Sequence, residues 1–217
     1  MKSILMSIKP KWVEKIASGE KTVEVRKTVP KCGTPFKVYM YCTNDRKETL
    51  NMANGQGFWE KGELYLNGNC YYPYTDGTLN GKVVGEFVCN KLICCQAYYD
   101  RFGKKHLTNV FDEDIKMSCL SEYELYDYIT RGKALNANIL FDGWLIYISD
   151  LKIYDKPKEL SEFQTPPCDK SERACEKCKY LVKINTPDRY EVDCFVAWGR
   201  PIARPPQSWQ FVKEMEV

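Results

Sequence analysis

The chain is poor in histidine, in long apolar runs and in any excess of one charge. His106 is its only histidine among 217 residues, which excludes a histidine-rich metal site. It follows Gly-Lys-Lys in an expected loop, and nothing singles out a cysteine partner for a Cys/His nucleophile pair. Lysine and arginine number 32 against 29 acidic residues, a net charge of +3, so bulk charge does not mark a strong polyanion binder. No apolar stretch approaches the roughly 18 residues of a membrane span. The opening MKSILMSIKPKW has its short apolar run broken by lysine and proline, unlike a signal peptide. Internal repeats and low-complexity tracts are also missing. Cysteine, by contrast, is abundant. Eleven cysteines, an odd count in a chain with no visible export signal, point to reduced thiols and a cytoplasmic protein. With 44% hydrophobic residues, the chain can build a sizeable core.

The pattern of elements reads as α+β, with many short strands and two helices. Ile4 to Ile8 forms a first strand. Pro10 suits the first turn of a helix, along which Trp12, Val13, Ile16 and Ala17 fall at helical spacing. Gly19 stops that helix. Further strands are expected at Thr22–Arg26 and Phe36–Tyr41. Gly81 to Cys95 reads as one long strand with Gly85 at a bulge or a close approach. More strands are expected over Ala137–Tyr154. Ser121 and Glu124 make a capping-box pattern opening a second helix that ends at Gly132. Residues 43–80, rich in Asn, Gly and Tyr, read as an insertion or long loop within a single domain of residues 1–217. Within it Leu64–Leu66 is a short strand and Asn67-Gly68 a hairpin turn. A second excursion, residues 165–200, carries the cysteine cluster.

The stretch SGEKTVEVRK, from Ser18 to Lys27, is the one that asks for an explanation. Along a strand, side chains alternate between faces. Val23 and Val25 make the core face, which leaves Glu24 and Arg26 together on the other. A solvated ion pair there would contribute at most about 1 kcal/mol. Strict alternation also puts Lys21 opposite Glu24 and Arg26, unless the turn after Gly19 twists the chain before the strand begins.

Gly19, Lys21, Glu24 and Arg26 fit a G-x-K-x-x-E-x-R pattern that follows an opening strand and a helix. This resembles the signature of the ASCH domain family, a relative of the PUA fold. GKVVGEFVCNKL, with Glu86, is similar to a later strand of that family, and DLKIYDKPKELSEF and PPQSWQFV resemble segments of its bacterial and phage members. The resemblance implies a PUA-like β-barrel with flanking helices and a cleft lined by Lys21, Glu24, Arg26 and Glu86. It implies RNA or a nucleotide-like ligand as partner. Lys21 and Arg26 would contact phosphate or a base edge, Glu24 and Glu86 would orient them, and Trp12, Trp144 or Tyr41 would offer a stacking face. Some small ASCH proteins resemble hydrolases of acetylcytidine, with a lysine base, a threonine nucleophile three residues on and a later glutamate. Here Lys21 and Glu86 fit and Glu24 takes the threonine's place; Thr22 is adjacent to the lysine instead. An amidohydrolase acting on acylated nucleosides, with Lys21, Glu24 and Glu86 as its catalytic groups, is therefore the alternative to a binding module. A non-catalytic interaction scaffold is the third reading.

Cys168, Cys175, Cys178 and Cys194 form C-x6-C-x2-C-x15-C. The central pair has metal-knuckle spacing, so structural zinc is one expectation and ordinary reduced thiols the other. No organic cofactor and no membrane partner are expected. Cys89, Cys94 and Cys95 lie in an apolar strand and read as small hydrophobes. The RPPQSW segment reads as a packed tail anchored by Trp209.

Overall fold

The fold is that of a computed structural model, which describes residues 1–44, 57–60, 63–66, 69–73, 79–130, 139–166, 181–186, 189–194 and 199–215. It is α+β and mostly strand. In chain order its elements are β1 (Lys2–Ile8), α1 (Pro10–Ala17), β2 (Val23–Arg26), β3 (Phe36–Cys42), β4 (Gly57–Glu60), β5 (Glu63–Leu66) and β6 (Asn69–Pro73). There follow β7 (Val83–Cys89), β8 (Leu92–Tyr99), β9 (Lys105–Thr108), α2 (Asp112–Met117), α3 (Glu122–Thr130), β10 (Phe141–Tyr147), β11 (Ser149–Lys158), β12 (Leu181–Thr186), β13 (Arg189–Cys194) and β14 (Trp209–Val212).

Two sheets carry the architecture. One has the order β11-β7-β3-β1-β14, the other β2-β10-β8-β9. They stay separate, which corrects the expectation of a closed barrel. β1 and β3 run parallel, and the other pairings are antiparallel. β1 is buried at six successive residues, as expected of a strand covered on both faces. Ile4, Met6 and Ile8 join Val13 and Ile16 of α1 in one core. Leu5 turns the other way and joins Tyr39, Tyr41 and Phe163 in a second. A third core lies beneath α3, where Leu125, Tyr126 and Ile129 meet Val23, Val25 and Leu145. Gly143 of β10 is what lets α3 come that close. A Cβ there would stand 2.5 Å from Ile129 Cδ1.

The segment expected as one strand, Gly81 to Cys95, is two. It breaks at Asn90 and Lys91, and β7 and β8 go to different sheets. Gly85 does mark a close approach, since a Cβ would meet the Lys152 carbonyl oxygen at 2.5 Å. The tail is packed as expected. β14 pairs with β1, and Trp209 Nε1 donates to the Thr28 carbonyl at 3.1 Å. Within residues 43–80, β4, β5 and β6 form a three-stranded sheet. The Asn67-Gly68 turn lies outside the described residues, as do Gly132, Cys168, Cys175 and Cys178. Cys194 ends β13. Among the described residues no group of three or more His, Cys, Asp or Glu is placed to hold a metal. No described helix is long and apolar enough to cross a membrane.

Candidate functional site

The register problem at Lys21 is resolved by the turn that follows α1. Gly19 takes a φ of +78°, where a side chain would be strained, and its N–H returns to the Ile16 carbonyl. The Lys21 N–H then donates back to Lys15 at 2.8 Å, so the chain has already reversed before β2 starts at Val23. Lys21 is therefore not on the strand's alternation at all. Its Nζ lies 3.4 Å from Glu24 Oε2, while Arg26 Nη2 lies 2.9 Å from Glu24 Oε1. One carboxylate thus sits between two cations.

The three side chains are nearly sealed off, at 2% exposure for Lys21, 6% for Glu24 and 11% for Arg26. Such burial is costly unless every charge finds a partner. Two backbone carbonyls complete the set. Lys21 Nζ donates to Ser118 at 2.6 Å and Arg26 Nη2 to Ser7 at 2.6 Å. Ser118 caps the C-terminus of α2, whose free carbonyls favour a cation. Lys21 Nζ also lies 4.9 Å from the centre of the Trp12 ring, a cation–π contact. Despite Glu24, burial is the larger influence on Lys21 and lowers its pKa below the ordinary lysine value.

The triad opens onto a hollow of about 370 Å3 between α1 and α3. The hollow is lined by Ser7, Lys9, Lys11 and Trp12 from the end of β1 and α1, by Leu120, Tyr123, Glu124, Asp127 and Tyr128 from α3 and the residue before its cap, and by Lys21, Glu24, Val25 and Arg26. Lys11 Nζ stands 4.8 Å from the Trp12 ring centre. The Ser121–Glu124 capping box is formed, each backbone N–H donating to the other's side chain, and it fixes the start of the helix that brings Tyr123 and Tyr128 to the wall. Arg26 Nε is buried and makes no hydrogen bond.

Of the expected site residues, Lys21, Glu24 and Arg26 come together and Glu86 does not. Glu86 stands opposite Tyr39 in the register, and Tyr39 opposite Leu5. Opposed residues share a face, so Glu86 lies on the side of the sheet turned away from α1. There Tyr154 donates its hydroxyl to Glu86 at 2.6 Å, and Lys37 Nζ approaches at 3.5 Å. Among the aromatic candidates only Trp12 lines the hollow. Tyr41 is core on the far face. Trp144 pairs with Arg26 in the register but is not part of the lining. Thr22 is exposed and also outside it. Lys9, Lys11, Tyr128 and the Ser118 carbonyl were missed. The last depends on α2, a helix of six residues, too short for a 3.6-residue period to register.

The chain is similar to ASCH structures. The crystal structure of ASCH from Zymomonas mobilis matches over 98% of this chain and 89% of that one, with 16% identity and a TM-score of 0.43. Two single-substitution variants of that protein match with 14% and 15% identity and TM-scores of 0.45 and 0.46, over 99% and 98% of this chain and 92% and 89% of theirs. At such identities and TM-scores the likeness locates no residue and no activity here. No family model and no curated protein matches the chain.

Proposed function

We propose that the chain is an ASCH-type, PUA-related module that binds RNA or a nucleotide-like ligand in the hollow between α1 and α3. The observation that carries the reading is the buried triad at its floor. Two cations against one carboxylate leave a net positive charge in a poorly solvated place, where it acts more strongly than in water. Arg26 lines the hollow with a guanidinium that is 11% exposed, a planar donor group suited to a phosphate or carbonyl oxygen. Trp12 offers the ring of a stacking contact, and the exposed Lys9 and Lys11 add charge at the mouth.

Hydrolysis of an acylated nucleoside such as acetylcytidine fits less well. Lys21 has the lowered pKa that a lysine base needs. The remaining groups are misplaced, however. Thr22 and Glu86 lie outside the hollow, and both oxygens of Glu24 are engaged by cations. The deciding experiment is titration of the protein with nucleoside 5′-monophosphates, read by tryptophan fluorescence and by calorimetry. Saturable binding is expected, weakened at least about tenfold in Arg26→Ala, the scale of a lost charge-assisted hydrogen bond, and weakened further by added salt. Saturation unaffected by Arg26→Ala would place the ligand elsewhere, and no saturation at millimolar nucleotide would remove the reading.

A further inference from the structure

Three carboxylates line the hollow, Glu24, Glu124 and Asp127, and the fold makes use of two. Glu24 has one oxygen on Lys21 and the other on Arg26. Glu124 Oε2 accepts from the Ser121 N–H and from the Ser121 hydroxyl, both at 2.8 Å, and so caps α3. Asp127 is exposed, and among the described residues it makes no hydrogen bond and no ion pair. It lies one turn along α3 from Tyr123 and Glu124, on the helix face that forms the wall. Lys9 and Lys11 stand in the same lining and likewise pair with no carboxylate. The hollow thus holds unpaired positive charge and an unpaired acceptor together.

A phosphate satisfies the lysines and is repelled by Asp127. A ligand that suits both needs a donor edge as well as its phosphate. A carboxylate only accepts, and its two oxygens best receive two parallel donors. Guanine alone among the four RNA bases presents two adjacent donors, N1–H and the N2 amine. Adenine and cytosine set their amino group beside a ring-nitrogen lone pair. Uracil sets its N3–H between two carbonyls. Each of these three would turn a lone pair towards the carboxylate. Resting on the binding reading above, we infer that Asp127 makes the hollow selective for guanine nucleotides. It accepts both donors of the base, while the phosphate lies with Lys9, Lys11 and Arg26. Discrimination of this kind comes from polar groups left unmatched by the wrong ligand, and is stronger than that of an apolar wall.

The test titrates the full chain with GMP, IMP, AMP, CMP and UMP, read by calorimetry. GMP is expected to bind at least about fivefold more tightly than AMP, CMP or UMP, less than a buried charge-assisted pair would give because Asp127 is exposed. IMP, which is GMP without the N2 amine, should bind at least about threefold more weakly than GMP. Asp127→Asn should fold normally, since the residue is exposed and unpartnered. The variant also loses a repulsion felt by every phosphate, so the readout is the ratio of affinities and not any one of them. An amide offers one donor and one acceptor, which matches the edges of adenine and cytosine. The GMP-to-AMP ratio should therefore fall to about one or invert. A merely structural role for Asp127 would not move that ratio. Five equal affinities, an IMP as tight as GMP, or a guanine preference that survives Asp127→Asn overturns the inference and leaves the pocket reading intact. No saturation by any of the five overturns both.

Discussion

Glu24 should be the least replaceable residue of the cleft, and Glu24→Gln measures why. The substitution keeps the shape and removes the charge between Lys21 Nζ at 3.4 Å and Arg26 Nη2 at 2.9 Å. At an effective dielectric of about 20, each contact near 4 Å corresponds to about 4 kcal/mol of attraction. Much of that is offset by the desolvation of Glu24 itself, now avoided. What remains is two neighbouring cations, 2% and 11% exposed, with only neutral carbonyls and Trp12 beside them. Breaking a buried ion pair by removing one partner costs about 3–5 kcal/mol. For a chain of this size that corresponds to a fall in Tm of roughly 6–20 °C. Thermal and urea unfolding at pH 7 provide the assay. The companion variant is Lys21→Met in the Glu24→Gln background. It removes one of the two stranded cations, so the double variant should be more stable than Glu24→Gln alone, a coupling that a double-mutant cycle isolates. A loss below about 1 kcal/mol, the size of a surface pair, or a double variant weaker than the single one, would refute the idea that Glu24 neutralises a buried cluster.

Two further outcomes follow from the same packing. Burial holds Lys21 below the ordinary lysine value of 10.5, so between its folded pKa and that value the unfolded chain binds more protons than the folded one. This contribution to stability must therefore rise with pH across that window. Wild type should gain stability relative to Lys21→Met between pH 8 and pH 10, and equal pH slopes for the two would count against a desolvated Lys21. Glu86→Gln should leave nucleotide affinity unchanged, because Glu86 faces the other side of the sheet. It should cost about 1–2 kcal/mol in urea unfolding by weakening the contacts to Tyr154 and Lys37. A tenfold loss of affinity with stability intact would return Glu86 to the site.

What could be read from the sequence was local. α1 announced itself through Pro10, the Val13–Ile16 stripe and Gly19, and α3 through Ser121 and Glu124. Each of these signals acts within one or two turns of chain. The single reading of Gly81–Cys95 failed because β7 and β8 are both largely apolar yet join different sheets. Nothing in an apolar run says which partner it will find. Glu86 failed for a related reason. Its side of the sheet is fixed by pairing with Tyr39 across β3, a contact 47 positions away in the sequence, whereas a resemblance between short strands carries residue type without facing. The barrel expectation failed at the same level, since closure is a property of how sheets meet.

The triad marks where local and distant information join. Lys21, Glu24 and Arg26 are set by six residues of sequence, yet each cation also depends on a distant carbonyl, Ser118 at the C-terminal end of α2 and Ser7 on β1. Two cations and one carboxylate cannot be buried unaided. The local motif therefore requires carbonyl acceptors from elsewhere, and the fold supplies them 97 and 19 positions away. Those carbonyls are part of the backbone, so no substitution at Ser7 or Ser118 deletes them directly, and both cations are held on fixed acceptors before any ligand arrives. A site organised in this way binds without first having to order its floor, which lowers the entropic cost of association. Differences in affinity between ligands should then come from the exposed Lys9 and Lys11 at the mouth, and not from rearrangement of Lys21 or Arg26.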